Sequence, residues 1–406
     1  MNILVWLGNK DMHPAIYPNM KSIADALAEM GHNVITCNTA SYDEVKAAMV
    51  LLREEKFFKL SIGVNALGMK VMLDDGEPVD TFADLDTIHI SILLDEPFNP
   101  HCNGFKHIAR HHIITCLDRS DAEYFSRMKL ACGKNKMFMP LGGTESGLSW
   151  DELMEQKRKT SYKVVVSAGK FTHQMKWAHW TDYGATPAIS RILDDILELL
   201  QNEPLSIVEA AKKVLLDRGL AEDEYFCAIA SFFPAMLCYV KAWRRQQMLM
   251  KLLSCGVEID LFGDDWEQRD FPHGVTVHGV VPYTEMLRVI SKAKVVVNDE
   301  ACFNNGAHDR VFTSMLNGAV VVSEYSSYLE EEFTDGQDLF MFNWKNIQTQ
   351  LQIIPKLLDD DELRERIAAN AYAKVCNRHT WRQRAERLVE AADLLDFQHQ
   401  LQQQEI

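Results

Sequence analysis

Long apolar runs are missing from this 406-residue chain. No stretch approaches the roughly 18 apolar residues that would cross a bilayer. No basic leader precedes the first strand-like run, Ile3–Leu7, which is the pattern expected of a cytoplasmic protein. The nine cysteines are scattered, odd in number and without a CxxC pair, so they read as buried small side chains in a reducing compartment. Positive charge is also scarce: 42 Lys and Arg face 58 Asp and Glu, a formal charge of −16. That balance argues against a nucleic-acid backbone or an anionic membrane as main partner, while a local cationic site for an anionic nucleotide stays compatible with it. Gly8 stands without the other glycines of a GxGxxG fingerprint, which speaks against a dehydrogenase. His101, Cys102, His107, His111 and His112 cluster, yet no carboxylate completes a ligand set, so no metal centre is expected there.

What is present is an α/β rhythm. The length exceeds what one core usually holds, so two domains are expected. Strand-like runs fall at Ile3–Leu7, Asn33–Cys37, Lys59–Val64, Ile88–Leu94, His112–Leu117 and Met137–Pro140, with an amphipathic helix over Ile16–Met30 that Gly31 stops. The polar stretch Ser149–Lys159 marks a boundary, giving an N-terminal domain over 1–155 and a second domain over 156–385 that opens on Lys163–Ser167. Residues 184–254 then read as helices only, with Ile189, Ile192, Leu193, Ile196, Leu199 and Leu200 forming one apolar stripe. The rhythm resumes at Glu258–Phe262, Val275–His278, Val295–Asn298, Ala319–Ser323 and Leu339–Phe342. Residues 386–406 form a last helix and tail, and the glutamine-rich Gln398–Gln404 is expected to fray. In parallel sheets ligands bind outside the carboxyl ends of the strands, so the loops there are where chemistry is expected.

The richest of these loops is Asn304–Glu324. A glycine-containing loop leads into a helix, then Gly318, then a buried strand. Gly306, His308 and the first amides of the helix form a turn suited to an anion, and Arg310 can fork onto a phosphate. This stretch resembles the C-terminal domain of GT-B glycosyltransferases, in particular the glycosyltransferase family 1-like, CgeB-like group. The similarity continues through Tyr328–Gly336, Leu357–Arg364 and Arg378–Trp381, and covers about residues 258–390.

The resemblance implies a GT-B fold: two Rossmann-like domains facing a cleft, the first for the acceptor and the second for the donor, with the helices of 184–254 inserted in the second. It implies metal-independent transfer of a glycosyl group, a hexosyl group in the first instance, from a nucleotide sugar to an unidentified acceptor. No cofactor is expected beyond that substrate. Donor phosphates would sit at Gly306–Arg310. The group's usual carboxylate on the donor ribose is replaced here by Thr313, and a further Glu by Asn305. Glu324, at the end of a strand, becomes the candidate ribose ligand. Equally, the two replacements fit a catalytically inactive protein that binds a nucleotide or serves as a scaffold.

Other candidates follow from their place after strands. The resemblance to GT-B enzymes implies that Lys170 helps neutralise the diphosphate, and the stretches holding Gly263 and Tyr283 are similar to the base-binding edge of such domains. Asp95, past the run Ile88–Leu94, suits acceptor binding or general-base work, and His13, in the loop after the first strand, could touch either sugar.

Overall fold

The computed structural model describes residues 1–9, 16–54, 57–71, 79–99, 109–130, 132, 134–160, 162–168, 180–264, 266, 271, 273–300 and 302–404. The chain divides into two compact units, one of Met1–Gly142 with His379–Ile406, the other of Gly143–Arg378. The division at Gly142 lies N-terminal to the boundary drawn from composition, and the polar run there is no linker.

In the first unit, β1 (Asn2–Trp6), β2 (Asn33–Cys37), β3 (Leu60–Val64), β6 (Ile88–Ile92), β7 (His112–Cys116) and β8 (Asn135–Phe138) form a parallel sheet in the order β2-β1-β3-β6-β7-β8. Two short strands, β4 (Lys70–Val71) and β5 (Val79–Asp80), pair antiparallel and were not legible as strands. Helices α1 (Ile16–Glu29), α2 (Tyr42–Arg53) and α3 (Arg119–Arg127) connect the strands. The central strands are buried on both faces, as parallel sheets covered by helices require.

One face of this sheet carries polar side chains in its interior. The register pairs Ser61 with His89 and His89 with His112, so all three share a face, joined by Ser91. Ser61 Oγ accepts from Trp6 Nε1 at 2.9 Å and lies 3.1 Å from His89 Nδ1. Ser91 Oγ is 2.9 Å from His112 Nε2. Phe82 stacks on His89 at 4.4 Å. Burial drives both imidazoles toward the neutral form: His112 is lowered to about 4, and His89 is lowered well below the ordinary range, with the neighbouring His112 adding to the effect.

The second unit begins with α4 (Trp150–Lys159), a helix with a complete Ser149–Glu152 capping box. Its sheet runs β11-β10-β9-β12-β13-β14 and is parallel throughout, built from β9 (Val164–Ser167), β10 (Ile259–Phe262), β11 (Val275–Gly279), β12 (Val295–Asn298), β13 (Val320–Glu324) and β14 (Phe340–Phe342). The triple valines of β9, β12 and β13 stack into the core, where β-branched side chains suit a doubly covered strand. Between β9 and β10 stand α5 (Pro187–Asn202), α6 (Ile207–Asp217), α7 (Asp223–Ala230) and α8 (Phe233–Ser254), matching the helical stretch read from the sequence. Among the described residues no single helix is long and apolar enough to cross a membrane. Helices α9 (Tyr283–Lys292), α10 (Asp309–Leu316), α11 (Ser327–Glu332), α12 (Ile347–Gln350), α13 (Ile353–Asp359) and α14 (Asp361–Arg378) complete the unit.

Lys157 of α4 is buried, and its Nζ donates to the carbonyls of Ile290, Ser291 and Ala293 at 2.8–3.2 Å, capping the end of α9. The last helix, α15 (Trp381–Gln404), belongs to the first unit, where Leu388, Ala392 and Leu395 are buried. It is helical through Gln404. His399 packs on His111 with ring centroids 4.2 Å apart, and Gln400 bonds Asp396, which together hold the last turns.

Candidate functional site

The strand order of the second sheet reverses direction between β9 and β12, and the crevice outside their carboxyl ends is the place such sheets bind ligands. Beyond β12 the chain turns inward with Asp299 and Glu300, both fully buried. Two adjacent arginines of α8 answer the charges at this edge. Arg245 Nε donates to Asp299 Oδ2 at 3.0 Å, and Arg244 Nη1 donates to Glu324 Oε1 at 2.8 Å. Burial alone would raise the Asp299 carboxyl, but Arg245 and Arg310 pull it down to about 2. Glu300 goes the other way. Its burial, with Glu324 nearby, holds the carboxyl well above the usual range despite donors from the His308 amide (2.8 Å) and Ser323.

Glu324 is not placed to grip a ribose. Its side chain is wholly buried, and Oε1 accepts from Arg244, from Asn304 Nδ2 (3.2 Å) and from Trp344 Nε1 (2.7 Å). Oε2 accepts from the Glu300 amide at 3.1 Å. A ligand hydroxyl would have to displace a charge-assisted buried set, so the ribose expectation gives way to a structural one.

The start of α10 is the half-open part of this array. His308 is the N-cap residue, and about a third of its side chain is exposed. Its Nδ1 lies 2.6 Å from Asp309 Oδ1, and its Nε2 lies 3.3 Å from Arg310 Nη2. The short contact to a carboxylate requires the proton on Nδ1, which leaves Nε2 to accept from Arg310. The Arg310 amide, 3.3 Å from the same Nδ1, then finds no lone pair there. Burial would raise the Asp309 carboxyl, but His308 and Arg310 beside it keep it low. Arg310 is nine-tenths buried. Its Nη1 sits 3.6 Å from Asp299 Oδ1, too far for a hydrogen bond, and both atoms lack one. Asp309, His308, Arg310, Asp299 and Arg245 thus form one continuous polar chain from the helix start to the interior.

The remaining candidates fall in different places. Asn305 Oδ1 accepts from Ser327 Oγ at 2.9 Å, and the Gly306 amide donates to the Phe303 carbonyl, so this turn is tied to its own chain and to α11. Thr313 is buried. Its Oγ1 accepts from the Thr144 amide at 3.2 Å, while Asn317 bonds the Thr144 carbonyl and the Ser146 amide. A Cβ on Gly143 would come within 2.7–2.9 Å of Leu316 and Phe312. The segment Gly143–Ser146 therefore lies sewn along α10, filling the space that a longer side chain at 313 would need. Tyr283 donates its hydroxyl to Thr144 Oγ1 at 2.9 Å, and burial raises its phenol. That places its hydroxyl in the same seam. Gly263, at φ 139°, packs so closely that a Cβ would stand 1.8 Å from the Ala168 carbonyl oxygen, so backbone packing alone demands a glycine there. Lys170 and His13 lie outside the described residues. Asp95 lines a cavity of about 640 Å³ in the first unit, beside Gly8, Asn65 and Leu94 at the carboxyl ends of β1, β3 and β6.

Sequence reasoning missed Arg244, Arg245, Asp299, Glu300 and Thr144. The only signal was the pair of adjacent arginines in an otherwise apolar helix, whose buried partners lie more than fifty residues away.

Residues 244–390, just over a third of the chain, match the family described as glycosyl transferase-like. No curated protein sequence matches. Among solved structures, a sucrose-phosphate synthase from Thermosynechococcus elongatus is similar over 99% of this chain and 99% of that one, at 10% identity and a TM-score of 0.53. AviGT4, a glycosyltransferase involved in avilamycin A biosynthesis, aligns over 97% of each chain at 12% identity and a TM-score of 0.48. Anabaena Alr3699/HepE in complex with UDP-glucose aligns over 97% of this chain and 99% of that one, at 12% identity and a TM-score of 0.47. The two parallel six-stranded sheets and the extent of the first alignment make this a protein of GT-B fold whose residues 244–390 match the glycosyl transferase-like family.

Proposed function

We propose that this chain transfers a glycosyl group, a hexosyl group in the first instance, from a nucleotide sugar to an acceptor. The observation that carries the reading is the coincidence of the family match with the polar chain of side chains at α10. The matched stretch opens on Arg244 and holds Arg245, Asp299, His308 and Arg310. In this reading the diphosphate meets the start of α10, where the helix dipole and a nearby guanidinium favour a departing anion. Lys170, which follows β9 in the sequence, is the further cation proposed for it. Tyr283 and Gly263 form the base edge through backbone groups. No metal takes part, so those groups bear the leaving-group charge. In the first unit, Asp95 in its cavity is the proposed acceptor ligand or base, and His13 is proposed to contact either sugar.

One observation favours a second reading, a non-catalytic nucleotide-binding or scaffold protein: Thr313 stands where the resembling group has a carboxylate, and it is bound to Thr144. Hydrolysis of UDP-glucose, ADP-glucose and GDP-mannose, followed by release of nucleoside diphosphate, separates the two. UDP-glucose heads this panel because one similar solved structure carries it. Turnover that survives EDTA is the expected result. Turnover restored only by a divalent ion refutes the metal-free mechanism, and tight binding without turnover favours the second reading.

A further inference from the structure

His308 and Arg310 present two nitrogens at 3.3 Å that a single proton keeps compatible. As the ring stands, Nε2 carries a lone pair and Arg310 Nη2 donates into it. A second proton on the imidazole would aim two N–H groups at each other, which is unfavourable unless an acceptor comes between them. An anionic oxygen in that position would accept from both. Nη1 of Arg310 makes no hydrogen bond and faces Asp299 Oδ1 at 3.6 Å, so a small turn of the guanidinium that keeps this ion pair breaks no hydrogen bond at Nη1. Asp309 already accepts from Nδ1, and it is the group that would stabilise the imidazolium once formed.

We propose that His308 takes up a proton when the donor diphosphate binds, so that His308 Nε2 and Arg310 Nη2 together hold one phosphate oxygen. The proposal rests on the donor-site reading above and deepens it. The proton comes from solvent to Nε2, and no bond in the ligand breaks. The charged and titratable groups facing the ring and its partners are Asp309 and Arg310 on α10, Asp299 at the end of β12 and Arg245 from α8. Glu300 holds the His308 amide, and the Tyr283 phenol of α9 lies near Asp309. Arg245 and Arg310 oppose a new positive charge; Asp309 and Asp299 favour it. The incoming diphosphate adds the negative charge that tips this balance.

Calorimetric titration with UDP-glucose tests the idea, because its diphosphate diester does not itself titrate near neutrality. Binding is measured at one pH in buffers of different ionisation heat, and again from pH 7.5 to 8.5. The wild type should take up close to one proton per UDP-glucose, and its Kd should rise up to about tenfold per pH unit. His308→Gln should still bind, more weakly, with no proton uptake and a flat pH dependence. Binding by the wild type without proton uptake overturns the proposal, as does unchanged uptake in His308→Gln. If the glutamine variant does not fold, the wild-type proton count decides alone. If UDP-glucose, ADP-glucose and GDP-mannose all fail to bind, the donor-site reading itself falls.

Discussion

The buried histidine pair of the first unit makes its stability fall in mild acid, by an amount that the structure sets. His112 has its pKa lowered from 6.5 to about 4, and the cause is burial. The folded state therefore holds fewer protons than the unfolded one between those values. The stabilising contribution is complete above pH 6.5 and is lost as the pH falls toward 4. At pH 5 the gap from the unfolded value is about 1.5 units, worth about 2 kcal/mol at 1.36 kcal/mol per unit. His89 is lowered in the same direction, by burial and by the neighbouring His112, and adds to the loss. The variant that isolates the effect is His112→Gln, whose amide can still reach Ser91 Oγ and does not titrate. Hydrogen exchange of peptides spanning β6 and β7, corrected for intrinsic rates, reports the opening free energy of this region without requiring the whole chain to unfold in one step. The wild type should lose more than about 2 kcal/mol of protection between pH 7.5 and 5, and His112→Gln about 2 kcal/mol less than the wild type. Equal pH dependence in the two proteins would refute the reasoning, because every other titrating group is common to both.

Three further outcomes are expected. Gly263→Ala should cost at least about 3 kcal/mol or abolish folding, seen as a large fall in Tm, because its Cβ would overlap the Ala168 carbonyl. Thr313→Glu should lower Tm and leave nucleotide affinity no tighter, since Gly143–Ser146 fills the space; a variant that melts as the wild type and binds a nucleoside diphosphate more strongly would contradict this. Lys157→Met keeps the apolar stem but leaves three carbonyls at the end of α9 without their donor, a loss of about 2–4 kcal/mol in denaturant titration.

The sequence made the architecture legible because parallel strands and helices carry short-range patterns. The triple valines and the stripe of α5 need no knowledge of partners. The α10 loop was also legible, since a glycine, an N-cap and an arginine fall within five residues. What was not legible is which carboxylates face ligand and which face arginine. Glu324 and Asp299 both follow buried strands, and nothing local separates them from a ligand-binding carboxylate. Their partners come from α8 across a long loop of sequence. Thr313 is similar. Read alone it is a missing carboxylate; in place it is a bond to a backbone amide 169 residues away. Short strands such as β4 and β5, two residues each, fall below any periodicity.

The two arginines of α8 bear on how this chain could be shortened. By sequence, α5–α8 look like an insertion between β9 and β10, and deleting them should leave a smaller sheet domain. Yet Arg244 and Arg245 are the counterions of Glu324 and Asp299, and Leu200 and Glu203 at the end of α5 offer carbonyls to Arg244. Excision would leave the buried Glu324 without its cation and the buried Asp299 with Arg310 alone, the situation in which breaking a buried pair is costly. The insert is thus not a removable module. A shortened relative keeping Glu and Asp at those strand ends needs cations from elsewhere, whereas one lacking the helices altogether is free to carry neutral residues at both positions.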